Sequence, residues 1–158
     1  MGTGIDEEAL NKIPMGILVL DGRNLDHIVF ASHMAAHIWA CEDEEEITAD
    51  VFAEMITASV EGIQDISPAQ VGDKSLLDTL IPAKEAFVEA KEAGKDFAEC
   101  LDAMNAAAEK GWQSTKDLVA KIGRASRLGE RSRGVLDAGA TSCYFIITTI
   151  GSTAKSLL

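Results

Sequence analysis

Four of the five arginines in this chain fall between Arg124 and Arg133, in the segment Gly123-Arg124-Ala125-Ser126-Arg127-Leu128-Gly129-Glu130-Arg131-Ser132-Arg133-Gly134-Val135-Leu136-Asp137-Ala138-Gly139. They stand in a chain of formal charge −12, with 26 acidic residues against 14 basic ones. A guanidinium presents two parallel N–H groups to phosphate oxygens, the geometry of bidentate anion binding. The glycines at 123, 129, 134 and 139 interrupt any helix between Lys121 and Ala140, so the arginines are expected on a long irregular segment. Such segments longer than about 12 to 15 residues are uncommon in compact domains and are usually functional or disordered. This one ends where a helix is expected to start, and free backbone N–H groups with the helix dipole favour anions there. Together these features describe a phosphate site. The competing reading is that the arginines pair with the chain's own surface carboxylates, and composition does not decide between the two. Asp137, just before that helix, suits an N-cap.

Other clusters carry weaker chemistry. Asp21-Gly22-Arg23-Asn24-Leu25-Asp26-His27 places two carboxylates and a histidine together, hard ligands of the kind that hold Mg²⁺. The same residue types are what turns are built from. His33 and His37 stand four apart, but there is no H-E-x-x-H pattern and no third ligand, so they read as helix-face residues. Gly72-Asp73-Lys74-Ser75 lacks the first glycine of a P-loop and reads as an ordinary helix start. Cys41, Cys100 and Cys143 have no C-x-x-C spacing, so they are expected as buried small hydrophobes in a reduced compartment.

The elements that must position these groups are helical. Only 5% of residues are aromatic, three are proline, and strong helix formers abound. Thr48 is expected to cap a helix carrying Phe52, Met55, Ile56, Val60 and Ile63 on one face, stopping before Ser67-Pro68. A second starts at Gly72 to Ser75 and ends at Gly94, kinked or divided at Pro82. A third runs from about Lys95 to Lys121 with Gly111 weakening its middle, or divides there into two helices in tandem. A last one runs from about Gly139, despite the strand-like run Ile146-Ile147-Thr148-Thr149-Ile150. Gly16 to Gly22 suggests a short strand and turn, and Asp26 to Ala40 a helix. The acidic balance argues against nucleic acid and anionic membrane as partners. The N-terminus lacks a basic signal region, and no apolar run approaches the roughly 20 residues of a membrane span, so a cytoplasmic chain is expected.

Gly123-Arg124-Ala125-Ser126 with Leu128-Gly129-Glu130-Arg131-Ser132, then Asp137-x-Gly139-Ala140, resembles the signature of the nucleotide-binding L subunit of dihydroxyacetone kinases. Gly72-Asp73-Lys74-Ser75-Leu76-Leu77-Asp78 followed by Pro82-Ala83 is similar to that family's upstream motif, and the resemblance runs from Ile47 to Leu158. It implies an all-α antiparallel barrel or bundle of amphipathic helices, here incomplete at its N-terminus, with 1–46 an atypical segment and 47–158 the nucleotide-binding domain. It implies ATP or ADP with Mg²⁺ as cofactors, and transfer of phosphate to a small hydroxyketone or sugar held by a K-type partner subunit or domain. By the same resemblance Arg124 contacts the nucleotide phosphates, Asp137, Ala138 and Gly139 line the nucleotide, and Leu76 touches the adenine side.

The chain also departs from that family. Arg127, Val135 and Ala138 stand where Tyr, His and Pro are common, which suggests a sister branch with another sugar or carrier. Ser67 stands where Gly is common. The family's D-x4-D-x-D-H motif for two Mg²⁺ is reduced to Asp21-x4-Asp26-His27, with chance similarity the alternative, and its Gly-Ser-Gly phosphate loop is missing. Three readings follow: an altered kinase subunit, a non-catalytic helical anion-binding module, or a truncated family member. An apolar face left uncovered at the N-terminal wall would predict self-association.

Overall fold

The computed structural model describes residues 5–6 and 46–158. The expected strand at Gly16, the helix from Asp26 to Ala40, the histidines, Cys41 and the pair Asp21 and Asp26 lie outside the described residues. The described part contains four α-helices, α1 (Ala49–Ile66), α2 (Leu77–Glu92), α3 (Phe97–Ser114) and α4 (Ala138–Lys155), and a 3-10 segment, Arg124–Ser132. A minimal antiparallel pair joins β1 (Ile5–Asp6) to β2 (Glu46–Ile47), with Ile5 opposite Ile47. The architecture is an all-α bundle.

Thr48 caps α1 by accepting from the Val51 N–H at 3.3 Å, and Phe52, Met55, Ile56, Val60 and Ile63 are all buried. The helix stops at Ser67, whose extended backbone is the conformation that the following Pro68 imposes. α3 opens on a full capping box, in which Asp96 accepts from the Glu99 N–H and the Glu99 carboxylate accepts from the Asp96 N–H.

Three expectations need correction. Residues Gly72 to Ser75 form a turn, and α2 begins only at Leu77. Pro82 is the sixth residue of one helix, α2, so the helix is not divided into two pieces there. α3 ends at Ser114 and not near Lys121: from Thr115 the backbone bonds tighten to three-residue turns, Thr115 to Trp112, Lys116 to Gln113 and Asp117 to Ser114, while the Thr115 hydroxyl donates to the Trp112 carbonyl at 2.7 Å and accepts from the Asp137 N–H at 3.1 Å. Gly111 therefore sits in the last turn of one helix and does not divide two.

The helix run was correct for α4 despite its β-branched residues. Cys143, Ile146, Ile147 and Ala154 form a buried face at helical spacing, and the hydroxyls return to carbonyls one turn back: Thr141 to Asp137, Ser142 to Ala138 and Thr148 to Tyr144, at 2.6 to 2.8 Å. Burial of one face at this period outweighs the modest β-branched penalty.

Ion pairs and side-chain contacts set the helix directions. Lys91 near the end of α2 meets Asp50 at the start of α1, and Lys155 at the end of α4 meets Asp102 near the start of α3. Gly111 near the end of α3 lies against Asp78 at the start of α2. Neighbouring α1 and α2, α2 and α3, and α3 and α4 thus run antiparallel. One end of the bundle is closed by the mutually packed rings of Phe52, Phe87 and Phe97, with centroids 4.9 to 6.0 Å apart. The other end collects the starts of α2 and α4, the end of α3 and the arginine segment. Cys100 and Cys143 are buried as expected, and desolvation pushes the Cys143 thiol up to about 12, so it stays protonated and unreactive at neutral pH. No helix among the described residues is long and apolar enough to cross a membrane.

Candidate functional site

The site is built on the turn that precedes α2. Asp78, only 2% exposed, turns its carboxylate back on this turn and accepts from the Gly72 N–H at 2.6 Å and the Ser75 N–H at 2.7 Å. Asp73 closes the outer side, accepting from the Gln70 N–H at 2.9 Å and from Lys121 Nζ at 2.9 Å. The Lys121 hydrogen bond, followed by the Gln70 N–H, holds the Asp73 carboxyl below its ordinary value. Between these two aspartates the chain bends through Gly72 at φ 95° and Lys74 at φ 64°. A left-handed lysine costs about 1 kcal/mol or more that glycine would not incur. Its side chain offsets that cost. Lys74 is 4% exposed and its ammonium donates to the carbonyls of Leu118, Ser132 and Val135 at 3.1, 2.5 and 2.7 Å.

The arginine segment is more ordered than its glycine content suggests. It consists of two successive turns of the same form, Gly123-Arg124-Ala125-Ser126 and Gly129-Glu130-Arg131-Ser132. In each, the serine hydroxyl donates at 2.7 Å to the carbonyl of the glycine three residues before it. Gly123 and Gly129 have φ of 65° and 52°, which a side chain would disfavour. The buried Ser132 hydroxyl also accepts from the Ala120 N–H at 2.9 Å, so one atom joins both sides of the segment's base. Arg133 is used structurally: it pairs with Glu130 at 3.2 Å and donates to the Asp117 carbonyl at 2.6 Å. Arg124, Arg127 and Arg131 are exposed and make no ion pair among the described residues. Among the described residues the surface-pairing reading therefore accounts for one arginine of the four.

The segment delivers the chain to α4. Asp137 caps the helix, its Oδ2 accepting from the Ala140 N–H at 2.8 Å. Gly139, expected near the start of this helix, is its second residue. Its neighbours show why bulk is excluded: a Cβ at this position would lie 3.0 Å from Asp137 Oδ2 and 3.6 Å from the Leu76 nitrogen. Leu76, Asp137 and Gly139 are thus brought together at one point, with Ala138 exposed beside them and Arg124 at the start of the adjoining turns. Asp21 and Asp26 lie outside the described residues, and among those described no group of three His, Cys, Asp or Glu side chains could hold a metal ion. Lys74 and Asp78 were missed as site residues. Their sequence signal was membership in the Gly72–Asp78 motif that carries the resemblance, with no role attached to either side chain.

Burial is the largest influence on Asp137 and raises its carboxyl above the ordinary value, against the lowering effect of the Ala140 and Gly139 N–H groups and of Lys74. The raised value means that the folded state favours the protonated form. The stability this contributes is present below the unfolded Asp pKa of about 3.9 and is lost as pH rises through the folded value. Asp137→Asn retains the cap without the charge. It is expected to match or exceed the parent in stability at pH 7, with the advantage vanishing towards pH 3.5 in parallel urea titrations.

A family model for the DAK2 domain matches residues 27–152, so the match takes in the site and all four helices up to Ser152. The ADP-binding subunit DhaL of the PEP-dependent dihydroxyacetone kinase of Escherichia coli (strain K12) is 33% identical over 116 residues, which are 73% of this chain and 55% of that subunit. The ADP-binding subunit DhaL of PEP-dependent dihydroxyacetone kinase 2 of Listeria innocua is 35% identical over 105 residues, 66% of this chain and 48% of that one. An L-erythrulose kinase of Pectobacterium atrosepticum is 32% identical over 114 residues, 72% of this chain and 19% of the kinase. The chain spans about half the length of the two subunits it matches. With the family model covering most of its length and the motif residues gathered at one end of an all-α bundle, the chain belongs to the DAK2 domain family.

Proposed function

We propose that the arginine end of the bundle binds ADP or ATP, and that the chain is the nucleotide-binding subunit of a dihydroxyacetone kinase-like phosphotransferase. The observation that carries this reading is the trio Arg124, Arg127 and Arg131, left without carboxylate partners among the described residues of a strongly acidic chain, in a segment that leads into the start of α4. Arg124 is the guanidinium for the phosphates. Ala138 and Gly139 offer a flat approach over the first turn of α4, Asp137 holds that turn, and Leu76 supplies an apolar wall for the base. Phosphoryl transfer depends mainly on positioning and charge neutralisation, which these parts supply. The acceptor is a small hydroxyketone or sugar on a K-type partner subunit, and the setting is cytoplasmic. Asp21 and Asp26 are the side chains proposed for Mg²⁺. Since the described residues contain no metal-ligand cluster, no step of the reading is routed through the ion.

A second reading has its own support in the missing Gly-Ser-Gly loop: a nucleotide-binding module without turnover. Calorimetry with ADP, with and without Mg²⁺, tests the shared claim. Binding is expected in the parent and weakened about tenfold to a hundredfold by Arg124→Ala, the loss of one charge-assisted contact. Absence of ADP binding under both conditions would sink it. A kinase assay with the K-type partner added then separates the subunit from the inactive module.

A further inference from the structure

We infer that Lys74 is the positioning residue of this anion site, a tethered ammonium that seats the arginine segment and the start of α4 in one register. Three backbone carbonyls from two stretches converge on it: Leu118 beyond α3 and, in the arginine segment, Ser132 at the close of the second turn and Val135 two residues before the α4 cap. An ammonium carries three N–H groups, and all three are used. The carbonyls form a small cation site whose cation is covalently supplied by the turn before α2. Asp78 fixes the origin of that side chain by holding the N–H groups of Gly72 and Ser75 on either side of it.

The backbone at Lys74 makes the inference sharp. Its φ of 64° is a conformation for which glycine is the natural residue, so a lysine kept only as a turn residue would be improved by Lys74→Gly. A lysine kept for its ammonium would not be, because its removal leaves three carbonyls without a donor. Arginine is no substitute, since a planar fork cannot direct three N–H groups at carbonyls gathered about one nitrogen. Through the Ser132 and Val135 carbonyls, the ammonium reaches both sides of the stretch between the exposed arginines and the α4 N-terminus. The part of this role that concerns nucleotide rests on the function proposed above; the part that concerns loop order does not.

The test uses the whole chain and two readouts. An arginine-specific protease reads the segment almost alone, because four of the five arginines lie in it and all four are exposed. Lys74→Gly is expected to retain helical circular dichroism, to be cleaved at Arg131 or Arg133 about tenfold faster than the parent, and to bind ADP about tenfold more weakly, the scale of a lost charged hydrogen-bond set. n-Butylammonium, the side chain that the substitution removes, is expected to reverse both changes, and tetramethylammonium at equal concentration neither. Should the glycine variant fail to fold, Lys74→Met decides by the same protease and ADP readouts, as it fills the space without donating. Parental cleavage and parental affinity in the folded variant would overturn the inference, as would a loosening in Lys74→Gly that butylammonium leaves unchanged. A parent that binds no ADP, with cleavage still accelerated and rescued in the variant, overturns the nucleotide reading and keeps the anchor; a parent that binds ADP, with an unaffected variant, does the reverse.

Discussion

Gly111→Ala is expected to lower stability by about 3 kcal/mol, although alanine is the better helix former by about 1 kcal/mol. The reason is in the packing of α3 on α2. A Cβ at Gly111 would collide with the carbonyl oxygen of Asp78 and stand 3.2 Å from the Asp78 carbonyl carbon and from the Thr79 Cα, all backbone atoms that cannot move without shifting α2. Pro82, four residues after Asp78, has no N–H to bond that carbonyl. The carbonyl is thereby freed from the helix ladder, and Gly111 lets the α3 backbone approach it. A residue that looks like a weakness in α3 and another that looks like a break in α2 are thus two halves of one contact. Thermal unfolding should show a midpoint lower by roughly 6 to 12 °C. A higher midpoint, as helix propensity alone requires, would remove the close approach. Gly151→Ala is the contrasting control: its Cβ meets the ends of the Asn105 and Met104 side chains, which can turn aside, so its loss should be smaller.

Asp78→Ala should be comparably severe, at about 2 to 4 kcal/mol, because two backbone donors at 2.6 and 2.7 Å lose a buried charged acceptor at once. Asparagine is no remedy. One of the two N–H groups would face the amide NH₂, a donor against a donor. The effect should also spread, since the turn released by Asp78 carries Lys74, and Lys74 seats the arginine segment. Urea denaturation measures the stability loss, and the arginine-specific protease measures the spread. A variant destabilised by less than about 1 kcal/mol would mean that water satisfies both N–H groups and that the carboxylate clamp is not needed.

Most of the helices were legible because their determinants are local. The Thr48 and Asp137 caps, the stop before Pro68 and the apolar faces of α1 and α4 each depend on residues within a few positions of one another. The end of α3 was not legible. Thr115 continues the apolar stripe and keeps helical angles; the helix ends in a switch to three-residue backbone turns, beside an N–H from Asp137, 22 residues away. The arginines showed the same division. Their clustering and glycine spacing pointed to an anion site, but whether they were free depended on which carboxylates the fold brought near, and among the described residues it brought one to Arg133 alone. The repeated Gly-x-x-Ser turn was present in the letters and was read only as irregularity, because its order comes from hydroxyl-to-carbonyl bonds that spacing does not reveal.

What the sequence determined by itself is therefore the helical class, the caps, the clustered arginines and the family resemblance. The first three follow from side-chain periodicity, backbone preference and charge, properties that a residue carries wherever it is placed; the resemblance alone singles out Leu76, Arg124, Asp137, Ala138 and Gly139. What only the tertiary structure decided is how they are held: Asp78 clamping the turn, Lys74 answering three distant carbonyls, Gly111 admitting the Asp78 carbonyl, and three arginines left without carboxylates among the described residues. The physical reason is that backbone carbonyls and N–H groups are the same at every position. Which of them a buried side chain must satisfy is set by the packing that brings them together.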